Sequence, residues 1–392
     1  MTRLSSPRAP YDDLSPADAA VIDSPRPPNL KALTSIRFFA ALYVALYHMV
    51  RPFERWGIFT GLFGAGYTAV SFFFLLSGFI LTYSHAADPA LLNGQPARFY
   101  IARFARIYPV YLLSVIAAGI LYAPLFAKRI HILAYIADLF MMQSWSARMV
   151  AFFNIPAWSL SCEAFFYLVF PWFFLRLRPG TARRNVIGFL LLWILALLAP
   201  LTALALHPSA AGAMHENGQL LASAQLFRIR RIPLLALPEF LAGITLAWMH
   251  LRFPMRRFAL VATALGTAGA LTALFFADHL PFALLHNGLL LPLFALVILG
   301  LSQDHILTRA LSIAPLVLLG EASYALYLSH YLFSDWIKNS FHIPEDFHGL
   351  ALRLLVLIPL SIALHLWVER PGRKLILHLW AKKHPKPASP SS

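Results

Sequence analysis

Ten apolar runs, each close to the length of a membrane crossing, recur along this 392-residue chain. They fall near Leu33–Val50, Gly64–Tyr83, Phe104–Phe126, Pro156–Leu175, Val186–Leu206, Ile232–Leu251, Phe258–Ala277, Phe282–Leu301, Leu311–Leu332 and Leu350–Val368. About twenty apolar helical residues cover the hydrocarbon layer of a bilayer, where only a backbone that satisfies its own hydrogen bonds is stable. Charged residues make up 12% of the chain and apolar ones 59%, about half the charge of a soluble domain. The pattern predicts an all-α polytopic transmembrane helix bundle of ten spans over residues 31–371. Residues 1–30 are polar and proline-rich, lack a signal-peptide core, and read as a disordered cytoplasmic tail. Residues 372–392 read as a basic cytoplasmic tail. The run Ile130–Gln143 carries Asp138, is too short for a comfortable span, and predicts a re-entrant or interfacial helix.

A net charge of +15 would suit a nucleic-acid binder, but its distribution argues against one. The basic residues sit in short loops and tails, where positive charge orients a membrane protein. With the N-terminus inside and the short run not crossing, inner segments hold 21 Lys/Arg and outer segments nine. Both termini are therefore expected in the cytoplasm, although Arg228, Arg230 and Arg231 argue against this locally. The two that remain outside both counts, Arg37 and Arg353, fall within spans. Cys162 is the single cysteine, so neither a disulfide framework nor a thiolate metal cluster is possible, and no metal is expected.

Polar residues inside the spans carry the chemistry, because lipid penalises them unless they face protein or water. Arg37 and His48 are eleven residues apart, which returns to nearly the same helix face about 16 Å further along. Arg37 is either a lipid anchor or part of a site, and His48 either bonds a neighbouring helix or reacts. Between them Ala40, Ala41, Val44 and Ala45 offer either close helix packing or room for a slender ligand. Arg103 and Arg106 are neighbours on one helical face. They read as a positive-inside anchor or, with Arg37, as a phosphate site. Ser159, Glu163 and Tyr167 follow at four-residue spacing, with Glu163 either a structural ion-pair partner of Arg148 or Arg353 or a functional carboxylate. Ser323, Tyr327 and His330 share another face. Counting depth from the span ends puts His48, Glu163 and His330 in one outer zone and the three arginines in an inner one. An anion site below a base-and-carboxylate site suits a long donor with a phosphorylated head and a reactive tail, such as acyl-CoA. Imidazole can take a proton from a hydroxyl near neutral pH, with a carboxylate fixing its tautomer, or can itself accept the acyl group.

These residues also form an ordered set. Arg37-x10-His48, Ser71-Phe-Phe-Phe-Leu-Leu-Ser77-Gly78-Phe, Arg103-x-x-Arg106-Ile-x-Pro109, Trp158-Ser-Leu-Ser-x-Glu163-x-x-Phe-Tyr167, Ser323-Tyr324-x-x-Tyr327-x-x-His330 and Glu369-Arg370-Pro371 occur in that order. Together they resemble the signatures of the acyltransferase-3 family of integral membrane O-acyltransferases, over about residues 30–371. The resemblance implies transfer of an acyl group, most often acetyl, from cytoplasmic acetyl-CoA to a hydroxyl of an extracytoplasmic carbohydrate or lipid-linked glycan. It implies a bacterial inner (plasma) membrane location, with membrane lipid around the bundle. His48 would be essential, and Arg37, Arg103, Arg106 and Glu163 would support it. His330 joins the expected catalytic group, and Ser159, Tyr167, Ser323 and Tyr327 are expected on the substrate side. Ala164 stands where similar members often carry a second acidic residue, so no paired carboxylate is expected there. Some members append an esterase-like domain after the last span; none is expected here, so any final transfer step done by that domain would need a separate periplasmic transferase or is not required. The rival class is a transporter or flippase for an anionic or glycolipid solute, with His48 and Glu163 as a proton relay.

Overall fold

The structure is a computed structural model that describes residues 30–49, 59–86, 88, 91, 95–150, 152–177, 180–206 and 231–384. Both tails beyond these limits lie outside the described residues, as do Arg51, Arg55, Arg228 and Arg230. The described residues form helices and connecting turns, with no strand. The principal helices are α1 (Lys31–Met49), α2 (Ala69–His85), α3 (Ala97–Leu121), α4 (Arg129–Leu139), α5 (Trp158–Arg176) and α6 (Ala182–Leu206). They continue with α7 (Pro233–Arg252), α8 (Ala259–Phe275), α9 (Leu291–Leu301), α10 (Ala314–Phe341), α11 (Phe347–Leu364) and α12 (Arg370–Lys383). One π-helical turn, His365–Glu369, joins α11 to α12, so residues 370–383 continue a helix where the sequence suggested only a basic tail.

Among the described residues, eight helices are long and apolar enough to cross a membrane, against the ten runs expected. The run Phe282–Leu301 is broken at Gly288, whose φ of +81° leaves a short turn of helix before α9. The other difference, α10, has 28 residues, ample for a crossing at about 1.5 Å each. Its hydropathy is lowered by Ser323, Tyr324, Tyr327, Ser329 and His330, all buried within the bundle.

Small residues set the tightest contacts. A Cβ on Gly78 of α2 would lie 2.0 Å from the Phe240 carbonyl oxygen of α7, and one on Gly243 2.1 Å from that of Leu75. Helices α1 and α10 approach at Gly320, where a Cβ would meet the Thr34 carbonyl oxygen at 2.1 Å. Ala41, Val44 and Ala45 are buried in the same packed core as Ala325, Leu326 and Leu328 of α10. The alanine stripe is therefore helix packing and lines neither of the cavities described below.

Helix α4, with 11 residues, is too short to span. It runs back along half of α3: Tyr135 covers Gly119, the Tyr111 hydroxyl donates to the Asp138 carbonyl (2.7 Å), and the Tyr108 hydroxyl to that of Leu139 (3.3 Å). Gln143 Nε2 then donates to the Tyr111 hydroxyl and the Ala157 carbonyl, both at 3.1 Å, and Ser144 Oγ to the Trp158 carbonyl at 2.8 Å. The two ends of segment 143–157 thus meet at the level of Tyr111, in the middle of α3, and α5 starts inside the bundle. That deep start determines where Glu163 falls.

Candidate active site

The candidate residues divide between two cavities with no lining residue in common. The first, of about 130 Å³, is lined by Arg37, Arg103 and Arg106 together with Ser77, Ser159, Glu163, Tyr167, Ser323, Tyr324 and Tyr327. The second, of about 220 Å³, is lined by His48 and His330 with Met49, Tyr331, Ser334, Asp335, Lys338, Glu345 and Arg353. Helices α1 and α10 contribute to both, because each carries a polar residue near either end of one buried face.

At the arginine end, Glu163 accepts a hydrogen bond from Ser77 Oγ at 3.1 Å and another from the Tyr167 hydroxyl. The Arg106 guanidinium pairs with Glu369, which is 1% exposed, and lies 6.0 Å from the Tyr324 ring. Glu369 in turn lies 3.1 Å from His365 Nδ1 across the π-helical turn. Arg103 lies 5.9 Å from the Phe99 ring, and its buried Nε has no hydrogen-bond partner among the described residues. Arg37, Arg103 and Arg106 thus gather their positive charge on one cavity, against Glu163 within it and Glu369 behind Arg106.

At the histidine end, His48 Nδ1 lies 3.0 Å from the Val44 carbonyl oxygen and 3.2 Å from His330 Nε2, with ring centroids 5.1 Å apart. A carbonyl only accepts, so in the tautomer that makes the Val44 bond Nδ1 carries the proton and Nε2 the lone pair. His330 is fully buried. Between the cavities, Ser159 Oγ and the Tyr327 hydroxyl are 2.8 Å apart, and the Tyr327 ring contacts that of His330 at 5.8 Å. This pair forms the partition. Ser323 donates to the Gly320 carbonyl at 2.7 Å on the arginine side.

One expected grouping is overturned. Glu163 does not join His48 and His330; it lines the arginine cavity, and neither Arg148 nor Arg353 is its partner. The depth count assumed that α5 begins at the membrane surface, whereas the chain dips inward before Pro156. Ser159 is therefore level with Tyr327, one turn below His330, and Glu163 lies a further turn toward the arginines. The carboxylate proposed to orient His48 is replaced by the Val44 carbonyl. Ser77, Tyr324 and Glu369 lay within the ordered motifs, but no role was read for them. Arg231, counted with the outer loops, is 2% exposed and stands 5.7 Å from the Trp158 ring; its position next to a loop gave no signal of burial.

A family profile described as an acyltransferase domain matches residues 30–370. The chain belongs to the acyltransferase-3 family. Acyltransferase MdmB of Streptomyces mycarofaciens is 31% identical over 376 residues, 90% of this chain and 94% of its own length. O-acetyltransferase OatA of Staphylococcus aureus (strain NCTC 8325) is 23% identical over 374 residues, 89% of this chain and 58% of OatA. Protein 2 in the picA locus of Rhizobium radiobacter is 38% identical over 91 residues, 23% of this chain and 44% of that protein. No solved structure matches the chain. The chain is thus an acyltransferase-family protein with apolar helices suited to a membrane.

Proposed function

We propose that this protein is an O-acyltransferase of the bacterial inner (plasma) membrane. It carries an acyl group, acetyl in the first instance, from acyl-CoA at the arginine end to a hydroxyl of a carbohydrate or lipid-linked sugar at the histidine end. The observation that carries this reading is the division of charge: arginines ring one cavity, imidazoles line the other, and Ser159 and Tyr327 stand between them. The excess of inner Lys/Arg supports a cytoplasmic arginine end and cytoplasmic termini. The name of OatA supports acetyl as the acyl group and oxygen as its acceptor.

The phosphates of the donor are held by Arg37, Arg103 and Arg106, for which planar guanidiniums are suited. Glu163, fixed by Ser77 and Tyr167, holds these cations apart and oriented. The thioester passes the Tyr327–Ser159 contact to reach His48. The lone pair on His48 Nε2 removes the proton of the acceptor hydroxyl as its oxygen attacks the thioester carbonyl carbon. The carbon–sulfur bond breaks, and the departing CoA sulfur takes the proton back from the imidazolium. His330 packs against His48 and holds its ring in place.

The test uses the full chain in proteoliposomes supplied with radiolabelled acetyl-CoA and methyl glucoside. Wild type is expected to form acetylated sugar, and His48→Ala to lose about 10²–10⁴-fold in rate, the usual contribution of a general base. Full transfer by His48→Ala would refute the assignment.

A further inference from the structure

Arg353 is the cation within a span that the proposed chemistry leaves unused. It lies on α11, is 4% exposed, and lines the histidine cavity. Its Nε donates to the Gly349 carbonyl at 3.2 Å, and Nη1 reaches Ser334 Oγ only at 3.5 Å. Nη2 is buried with no hydrogen-bond partner among the described residues. The other cation of the cavity, Lys338, is bonded to Glu345. The Glu345 carboxylate lines the same cavity and attracts Arg353 electrostatically, but it does not hydrogen-bond Nη2. A buried guanidinium with an uncommitted donor is costly in an apolar setting, and such groups mark ligand sites more often than they stabilise folds.

We propose that Arg353 forms an anion subsite in the histidine cavity, recognising an anionic oxygen group, carboxylate or phosphate, on the acceptor. The subsite rests on the reading of this cavity as the acceptor site. Its guanidinium presents a planar fork to two oxygens, while Asp335 on the same wall accepts from acceptor hydroxyls. An acidic sugar or a glycosyl phosphate would then be anchored at Arg353 with a hydroxyl directed to His48. Specificity would arise because a neutral sugar leaves the buried Nη2 donor without an anionic acceptor.

Binding tests this without turnover. Methyl glucuronide, glucose 1-phosphate and methyl glucoside are titrated calorimetrically into the detergent-purified full chain. Wild type is expected to bind at least one anionic sugar tenfold or more tighter than methyl glucoside, and the stronger of the two identifies the anion. Arg353→Gln is expected to abolish the preference, whereas Arg103→Gln, at the other cavity, keeps it. No anionic preference in wild type, or one that survives Arg353→Gln, overturns the subsite. If Arg353→Gln does not fold, Arg353→Lys keeps the charge but loses the fork. It is expected to weaken anion binding several-fold with methyl glucoside unaffected; unchanged anion affinity overturns the subsite. An anionic preference in a protein that transfers no acetyl group would instead refute the acyltransferase reading and leave the subsite standing.

Discussion

The Val44 carbonyl holds His48 Nδ1 at 3.0 Å, so the reactive nitrogen of the proposed base is selected by its own helix rather than by a carboxylate. Backbone orientation of this kind is common for functional histidines, because a carbonyl fixes one tautomer without adding charge. Glu163 acts on the other side of the partition, where Ser77 and Tyr167 hold it among three arginines. The two assignments predict different kinetics. Glu163→Gln is expected to raise KM for acetyl-CoA about tenfold, with a smaller effect on kcat. A loss of about 10⁴ in kcat with unchanged donor KM, as for a carboxylate that orients a catalytic histidine, would return Glu163 to the histidine. Steady-state rates with acetyl-CoA as the varied substrate distinguish the two outcomes.

Helix contacts position these residues. Gly78 lies in the Ser71–Phe79 motif one residue after Ser77, and its missing side chain lets α2 close on α7 at Phe240. That contact sets the face of α2 from which Ser77 reaches Glu163. Gly78→Ala would put a methyl group 2.0 Å from the Phe240 carbonyl oxygen, within a helix pair that cannot yield locally. The expected loss is about 1–3 kcal/mol of stability, the usual range for overpacking, read as a lower detergent unfolding temperature. Unaltered stability would mean that α2 and α7 are further apart than described. At the α11–α12 junction, the π-helical turn carries both Glu369, which pairs with Arg106, and His365. The Glu369-Arg370-Pro371 motif thereby takes a physical role: Glu369 supplies the counter-charge to Arg106, and Arg370 Nη2 donates to Glu321 at 2.5 Å.

For the whole molecule, Arg37 of α1 with Arg103 and Arg106 of α3 lies toward one end of the bundle and His48 of α1 with His330 of α10 toward the other, and the Lys/Arg count predicts which end faces the cytoplasm. Cys162 is fully buried, so surface labelling needs only one added thiol. Cysteine placed at His342 is expected to react with an impermeant maleimide in intact cells, and cysteine at Lys374 only after the membrane is opened. The reverse result would invert the topology and with it the donor and acceptor sides. The sequence by itself determined the helical membrane class, the family motifs, and the separation of Arg37, Arg103 and Arg106 from His48 and His330, because hydropathy and spacing are properties of local chain. Only the tertiary structure decided that α5 starts at mid-depth, that Glu163 belongs with the arginines, and that the alanine stripe is packing rather than a channel. It also decided that Arg353 and Arg231 are buried. Each of these depends on how one segment lies against another, and a depth counted along a single helix holds no record of where its neighbours begin.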